Sequence, residues 1–259
     1  MKNFRALAFF DLDGTLYDLP GTASEEVVQA IQTIQKNGIL PILATGRSLF
    51  ETREIMERTN IQHIIGLNGM IGKAGNEIIF SEEIPSRETV RLFDFALKRY
   101  KHHLAYHQGE TLWISSKDDP MAKHYSYLAG AEPIIPVDVL MKKNMNMLLV
   151  GSDQPEYDNT YRLHFPQLDF FRNSPYNMDV TKKGINKGTG ILEMSDYFGN
   201  QLPIFVFGDG TNDVAMFEKS FYSIAMGNAI SELKEKAEFV TKNNDDAGII
   251  HAFKYLGWL

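Results

Sequence analysis

Five largely apolar segments of this chain each stop at a small or polar residue. They are residues 7–10, 39–44, 61–67, 203–207 and 222–226. Runs of this kind are typical of parallel strands that are buried on both faces of a sheet. The carboxyl ends of parallel strands lie along one edge, and ligands bind where the strand order reverses at that edge. The sequence therefore predicts an α/β fold with a Rossmann-like, doubly wound parallel sheet.

The segment between the first two strands predicts a helix. Residues 24–37 carry Val27, Val28, Ile31 and Ile34, which have the spacing of one helix face. A strand, a helix and a second strand in this order form the repeating unit of such a sheet. The further elements expected in the same domain are a helix at 48–58, a strand at 239–241 and a helix at 247–255.

The polar residues that follow the five strands are expected to share one edge of the sheet. They are Asp11, Thr45, Asn68, Asp209 and Asn228. Asp13 joins Asp11, because side chains at i and i+2 of an extended segment point the same way. Carboxylates at such close range require a cation, and oxygen ligands of this type suit Mg²⁺. A calcium loop that starts at Asp11 is excluded, since it needs Gly and Glu where the chain has Leu16 and Thr22.

The pattern changes in the middle of the chain, where strands alternate between apolar and polar residues. We expect a second, smaller α/β domain inserted at residues 84–183, with residues 1–83 and 184–259 forming the core domain. Pro85 and residues 181–184 are the expected hinges. Three helices are predicted in the insert, at 86–100, 120–129 and 156–165. Three histidines, His102, His103 and His107, are expected on its exposed surface.

Charge and composition exclude several classes of partner. The formal net charge is −7, which gives no basic footprint for nucleic acid or an anionic membrane. The chain has no cysteine, which suits a reducing compartment, and no apolar run is long enough for a signal peptide or a membrane span. We expect a complete, cytoplasmic protein with no obligate protein partner.

Four short motifs, in order, resemble those of the haloacid dehalogenase (HAD) superfamily. They are D-L-D-G-T at 11–15, A-T-G-R at 44–47, the pair Lys187-Gly188, and G-D-G-T-N-D at 208–213. Asn68-Gly69 and A-M-G-N-A at 225–229 further resemble the Cof-type phosphatases, whose inserted cap is of the C2 type, here C2B. Each motif is weak by itself, but four in order at predicted strand ends or helix starts are specific.

The resemblance implies a role for each matching residue. Asp11 would be the nucleophile that forms an aspartyl-phosphate, and Asp13 would be the general acid and base. Mg²⁺ would be held by the side chains of Asp11 and Asp209 and by the backbone carbonyl of Asp13. The residues implied to bind the phosphoryl group are Leu12 and Gly46 through their amides, and Thr45, Lys187 and Asn212. The supporting residues are Asp213, which orients Lys187 or a metal-bound water, Arg47, which contacts substrate or pairs with an acid, and Asn68.

We therefore expect a Mg²⁺-dependent phosphatase that hydrolyses small phosphate monoesters, such as a sugar phosphate, a nucleotide or a cofactor phosphate. Two alternatives stay open at this point: a phosphotransferase with an acceptor other than water, and a noncatalytic protein that binds a phosphorylated metabolite on the same fold. The insert is expected to be a mobile cap that sets specificity. It carries no recognisable code for one substrate.

Overall fold

The computed structural model describes residues 4–116, 137–140, 142–199 and 201–259. The chain separates into two compact units, Met1–Phe80 with Asn186–Leu259, and Ser81–Ile185. They are referred to below as the core unit and the inserted unit. The helix expected at residues 120–129 lies outside the described residues.

Strands and helices are numbered in chain order through both units. The strands in the described ranges are β1 (Ala6–Phe10), β2 (Ile39–Ala44), β3 (His63–Gly66), β4 (Ile71–Ala74), β5 (Glu77–Ser81), β6 (His103–Gln108), β7 (Thr111–Ile114), β8 (Met147–Gly151), β9 (Leu168–Ser174), β10 (Asn177–Lys182), β11 (Ile204–Gly208), β12 (Tyr222–Ala225) and β13 (Phe239–Val240). The α-helices in the same ranges are α1 (Glu25–Lys36), α2 (Arg53–Thr59), α3 (Ser86–Tyr100), α4 (Val137–Leu140), α5 (Asp158–His164), α6 (Lys187–Phe198), α7 (Val214–Phe217), α8 (Ser231–Lys236) and α9 (Gly248–Tyr255).

The core unit is built on one largely parallel sheet with the strand order β13-β12-β11-β1-β2-β3-β4-β5. Every neighbouring pair from β13 to β3 is parallel, while β4 runs antiparallel to β3. Strands β1 and β2 lie in the middle and are buried throughout, as their apolar sequences require. The strand order reverses beside β1, so a ligand crevice is expected where β1 and β11 end. The predicted α/β fold is confirmed.

Helix α1 confirms the helical pattern of residues 24–37. The Ser24 side chain accepts a hydrogen bond from the Val27 amide and closes the amino end. Val27, Val28, Ile31 and Ile34 are buried on one face, as the spacing predicts.

Helix α2 is shorter than the sequence suggests, because it begins at Arg53 and not at Ser48. The Glu51 carboxylate accepts hydrogen bonds from the amide and the hydroxyl of Ser48, at 2.8 and 2.6 Å. Local side-chain bonds of this kind compete with a helical backbone. Residues 49–52 therefore form turns.

The antiparallel extension of the core sheet by β4 and β5 is absent from the sequence prediction. Both strands are short, and β5, at the edge of the sheet, has no buried residue. An edge strand without a buried face gives little hydrophobic pattern to detect.

The inserted unit carries a separate antiparallel sheet with the order β7-β6-β8-β10-β9. Helix α3 contacts β6, and α5 contacts β9. This confirms an inserted α/β unit distinct from the parallel sheet. Strand β10 was not predicted, and it contains Thr181 and Lys182, so only the last two residues of the expected hinge at 181–184 lie outside a strand.

Two of the three histidines of the insert are buried, which corrects the expectation of an exposed surface. His102 is hydrogen-bonded through Nδ1 to Tyr161 Oη at 2.8 Å and through Nε2 to Gln154 Oε1 at 3.1 Å. His107 is 2% exposed on β6. Spacing along one strand does not reveal which neighbouring elements cover it.

No helix in the described parts of the chain combines the length and the apolar character needed to cross a lipid bilayer.

Candidate active site

A fully buried lysine joins two carboxylates beyond the carboxyl ends of β1 and β11. Lys187 is the first residue of α6, whose start is fixed by reciprocal hydrogen bonds between Asn186 and Thr189, at 3.0 and 3.1 Å. Its Nζ donates to Asp11 Oδ1 and, at 2.7 Å, to Asp213 Oδ1. The side chains of Lys187 and Asp213 have no exposed surface. One buried cation at the start of α6 therefore lies beside the carboxyl end of β1.

Asp213 also shapes the turn that follows β11. Its second oxygen, Oδ2, accepts hydrogen bonds from the amides of Asp209 and Gly210, each at 2.9 Å. Both oxygens of this buried carboxylate thus have donors, as a buried charge requires. Asp213 consequently positions Asp209 as well as Lys187.

Gly14 lies directly against Asp209. Its φ is +84°, and a Cβ at this position would be 2.3 Å from Asp209 Oδ2. The next residue, Thr15, donates from Oγ1 to Asp209 Oδ1 at 2.7 Å. The loop after β1 therefore needs glycine at position 14 both for its left-handed backbone and for the space that Asp209 occupies.

The pKa values of the charged residues show an excess of negative charge. Burial raises the pKa of Asp11 well above its ordinary value, and the charge of Asp213 adds to this effect while Lys187 opposes it. Burial also raises the pKa of Asp209 to about 6, although the hydrogen bond from Thr15 lowers it. Burial alone would lower the pKa of Lys187, but the charges of Asp11 and Asp213 outweigh burial and raise it. One ammonium group does not neutralise this set of carboxylates.

Asp11, Asp209 and Asp213 form an acidic group that suits a divalent metal ion. One oxygen from each lies within 4.8 Å of the others. Carboxylate oxygens are preferred ligands of hard divalent cations, which would neutralise the excess charge. Asp11 and Asp209 are predicted ligands, whereas Asp213 was predicted in a supporting role. The side chain of Asp13 is not part of this group, and its predicted contribution is its backbone carbonyl.

The carboxylate of Asp13 is held by Arg47 in a bidentate ion pair. Arg47 Nε donates to Asp13 Oδ2 at 2.8 Å, and Nη2 donates to Oδ1 at 2.6 Å. The guanidinium carbon lies 5.1 Å from the centre of the Tyr17 ring. The sequence left open whether Arg47 contacts substrate or pairs with an acid. Here it pairs with Asp13.

Unused backbone donors lie beside these groups. Thr45 is buried after β2, and its hydroxyl oxygen accepts the Arg47 amide at 3.1 Å. In the part of the chain that the structure describes, the amides of Leu12 and Gly46 donate to no protein acceptor. Free amides of this kind can bind the oxygens of a phosphate.

Asn68 and Asn212 are joined by a hydrogen bond from Asn212 Nδ2 to Asn68 Oδ1, at 2.9 Å. Asn68 has a left-handed backbone with φ of 54°, and Gly69 follows with φ of 98°. A Cβ at Gly69 would lie 2.1 Å from the carbonyl oxygen of Asn186. The loop after β3 therefore contacts both the turn after β11 and the residue that precedes Lys187.

The structure thus joins the predicted site residues in three hydrogen-bonded sets: Asp11, Lys187, Asp213 and Asp209; Asp13, Arg47 and Thr45; and Asn68 with Asn212.

Several supporting contacts were missed from the sequence. Asn228 Nδ2 donates to the Gly14 carbonyl oxygen at 2.8 Å, and the Asn244 amide donates to Asn228 Oδ1 at 2.9 Å. Asn244 Nδ2 donates to the carbonyl oxygen of Tyr17 at 2.7 Å. Thr15 stands inside the D-L-D-G-T motif and was detectable there, whereas no local pattern marks Asn244.

Comparison with known proteins places this geometry in context. A family model for haloacid dehalogenase-like hydrolases matches residues 8–253. YkrA of Bacillus subtilis (strain 168) is 33% identical over 262 residues, covering 98% of each chain. The 5-amino-6-(5-phospho-D-ribitylamino)uracil phosphatase YwtE of the same organism is 26% identical over 269 residues, covering 93% of this chain and 94% of YwtE. The solved structure of the HAD subclass IIB sugar phosphatase BT4131 is similar with a TM-score of 0.88 and 26% identity, covering 98% of this chain and 100% of that chain.

Proposed function

This chain belongs to the haloacid dehalogenase-like hydrolase family, and on that premise we propose that it is a Mg²⁺-dependent phosphatase that works through a phosphoryl group on Asp11. Within the family it is a Cof-type phosphatase of subclass IIB, a phosphoric monoester hydrolase. The observation that carries the proposed mechanism is the buried carboxylate of Asp11, which is bound by Lys187 and lies beside Asp209 and Asp213.

The proposed reaction has two displacements at phosphorus. In the first, an oxygen of Asp11 forms a bond to phosphorus, the bond from phosphorus to the alcohol oxygen breaks, and Asp13 gives its proton to that oxygen. In the second, water attacks the phosphorus of the aspartyl-phosphate, Asp13 takes the proton from water, and the bond to Asp11 breaks to release inorganic phosphate. Covalent catalysis divides one difficult step into two easier ones, and acid–base catalysis contributes about 10²–10⁴-fold.

The charge that develops on the transferred phosphoryl group needs fixed donors. The free amides of Leu12 and Gly46 support a role in binding its oxygens, together with the Thr45 hydroxyl. Lys187 brings a positive charge, and Asn212 an amide that is held by Asn68. Preorganised donors of this type stabilise a transition state without reorganisation.

Asp11, Asp209 and the backbone carbonyl of Asp13 are the proposed ligands of Mg²⁺, with Asp213 beside them. When bound, the ion would reduce the repulsion between the Asp11 carboxylate and an anionic phosphate ester. The excess of negative charge in the acidic group supports this assignment.

The proposed substrate is a small phosphorylated metabolite, namely a sugar phosphate, a nucleotide or a cofactor phosphate. The relatives support this class, because one is named as a phosphatase of a phosphoribityl compound and another as a sugar phosphatase. We place the activity in the cytoplasm, which the absence of cysteine supports.

The test is release of inorganic phosphate from p-nitrophenyl phosphate and from a panel of phosphorylated metabolites, with Mg²⁺ and with EDTA. We expect turnover with Mg²⁺, none with EDTA, and none for Asp11→Asn, which keeps the shape of the side chain. Asp196→Asn is the matched control, because Asp196 is an exposed residue of α6. Retention of more than a few per cent of wild-type turnover by Asp11→Asn would overturn the nucleophile assignment.

The same assay separates the alternatives. A phosphotransferase would give phosphorylated alcohol when an alcohol acceptor such as glycerol competes with water. A noncatalytic binding protein would bind a metabolite of the panel saturably and turn over none.

A further inference from the structure

Arg47 connects the loops that follow β1, β2 and β3. Its guanidinium binds Asp13 in the first loop, and its amide donates to Thr45 Oγ1 in the second at 3.1 Å. Its carbonyl oxygen accepts a hydrogen bond from the Leu67 amide in the third, at 3.0 Å. Leu67 has a left-handed backbone with φ of 53°, which a leucine rarely adopts. The backbone of Arg47 is therefore fixed on both sides.

The side chain of Arg47 is also ordered by its surroundings. The guanidinium lies over the Tyr17 ring, and the Arg47 side chain is 20% exposed, whereas the Asp13 side chain is 56% exposed. In the described ranges no other group donates to the Asp13 carboxylate. Without Arg47 this exposed side chain would be free to sample all three staggered rotamers.

The ion pair between Arg47 and Asp13 does not serve to stabilise the fold. Ion pairs with an exposed partner contribute little to the free energy of unfolding, because water solvates and salt screens the charges. A planar fork that binds both oxygens does, however, fix the direction of a carboxylate.

We propose that Arg47 is the positioning residue of Asp13, holding the carboxyl group where it transfers a proton to the departing alcohol oxygen. This inference rests on the proposed function, because it requires Asp13 to be the general acid. The fork uses one lone pair on each carboxylate oxygen, and the second lone pair of each stays available for the transferred proton. Arg47 acts through Asp13 and touches no reacting atom.

A positioning role predicts that the effect of Arg47 depends on the leaving group. The phenolate of 2,4-dinitrophenyl phosphate departs without protonation, whereas that of phenyl phosphate needs a proton. The ratio kcat/KM reports the steps up to departure of the alcohol, so it isolates this transfer from the later attack of water. A residue that bound the phosphoryl group would affect both esters alike.

The experiment measures kcat/KM for both esters in the full-length Mg²⁺-loaded enzyme and its variants. Arg47→Met should lower kcat/KM for phenyl phosphate by about 10- to 100-fold, a part of the 10²–10⁴-fold that acid catalysis provides, and for 2,4-dinitrophenyl phosphate by less than about threefold. Arg47→Lys, which keeps the charge but loses the fork, should lie in between. Arg91→Met is the matched control, because Arg91 also pairs with a carboxylate, that of Glu88 at 2.7 Å, and lies over an aromatic ring, that of Phe165, but belongs to α3 of the inserted unit.

A double variant supplies the second criterion. In the background of Asp13→Asn, Arg47→Met should change kcat/KM for phenyl phosphate by less than about twofold, since no acid is left to position. Melting temperatures of the Arg47 variants should stay within about 3 °C of wild type.

Different results would refute the positioning role of Arg47 and the acid role of Asp13 in the proposed function. A uniform loss for both esters in Arg47→Met, or the full loss in the Asp13→Asn background, would overturn the positioning role alone. If Asp13→Asn itself shows no dependence on the leaving group, the acid role of Asp13 in the proposed function is wrong, and the positioning role is wrong with it.

Discussion

Replacing Asp209 by Asn should stabilise the metal-free protein at neutral and higher pH. The pKa of Asp209 is raised to about 6 from 3.8, chiefly by burial. A carboxyl group whose pKa is higher in the folded state resists ionisation there, so its ionisation costs stability. This cost begins as the pH rises above the unfolded pKa of 3.8 and is complete above about pH 6. Below that window the carboxyl group is protonated in both states, and no cost remains.

The size of the gain in stability follows from the shift in the pKa of Asp209. About two pKa units at about 1.4 kcal/mol each give an upper estimate of about 3 kcal/mol. Asp209 is partly exposed, and screening by solvent reduces the expected gain to about 1–2 kcal/mol. Asparagine keeps an Oδ1 acceptor for the Thr15 hydroxyl, so the hydrogen bond of 2.7 Å can persist. For a unit of this size the melting temperature should rise by about 3–6 °C.

The assay is thermal unfolding of wild type, Asp209→Asn and the control Asp196→Asn in EDTA at pH 8 and pH 5. The advantage of Asp209→Asn should be largest at pH 8 and shrink at pH 5. Added Mg²⁺ should reverse the order, since a ligand at 100 times its Kd adds about 2.7 kcal/mol to a protein that binds it. A variant that is less stable than wild type in EDTA at pH 8, or that gains as much from Mg²⁺, would refute this reasoning.

Two further predictions concern the same site. Lys187→Met leaves Asp11 and Asp213 buried without their cation. The free energy of unfolding, measured in urea, should therefore fall by about 3–5 kcal/mol at pH 8 and by less at pH 5. A loss below about 1 kcal/mol at pH 8 would contradict the buried ion pair. Gly14→Ala places a Cβ against Asp209 Oδ2, so calorimetric titration should show that the affinity for Mg²⁺ is reduced about tenfold or more. The control is Gly184→Ala, which has a similar φ of +80° and open space around it and should leave that affinity unchanged. Equal effects at both positions would mean that backbone strain alone is responsible.

The sequence predicts the parts of this molecule that depend on local pattern. Strands β1 and β2 are apolar throughout, helix α1 has a regular apolar face, and the residues after the strands therefore meet at one edge. Asp11 and Asp209 come together for this reason alone, although they are far apart in the chain.

Contacts between loops that are distant in sequence leave no such pattern. The hydrogen bonds of Asn228 and Asn244 to the loop after β1 join residues more than 200 positions apart, and packing of the whole sheet decides them. Strands β4 and β5 were missed because β4 spans only four residues and β5, at the edge of the sheet, has no buried residue. The sequence leaves two alternatives for Arg47, contact with the substrate or pairing with an acid, because an arginine suits both roles; the structure pairs it with Asp13.

The most direct test of the central claim is to trap the phosphoryl group on Asp11. In Asp13→Asn with Mg²⁺, 2,4-dinitrophenyl phosphate should still phosphorylate Asp11, because its leaving group needs no acid, while the absence of the general base slows attack by water. We expect a burst of 2,4-dinitrophenolate equal to the enzyme concentration. Mass spectrometry after an acid quench should then find a phosphoryl group on the peptide that contains Asp11. Steady release of dinitrophenolate with no phosphoryl group bound there, or a phosphoryl group on another residue, would contradict the account.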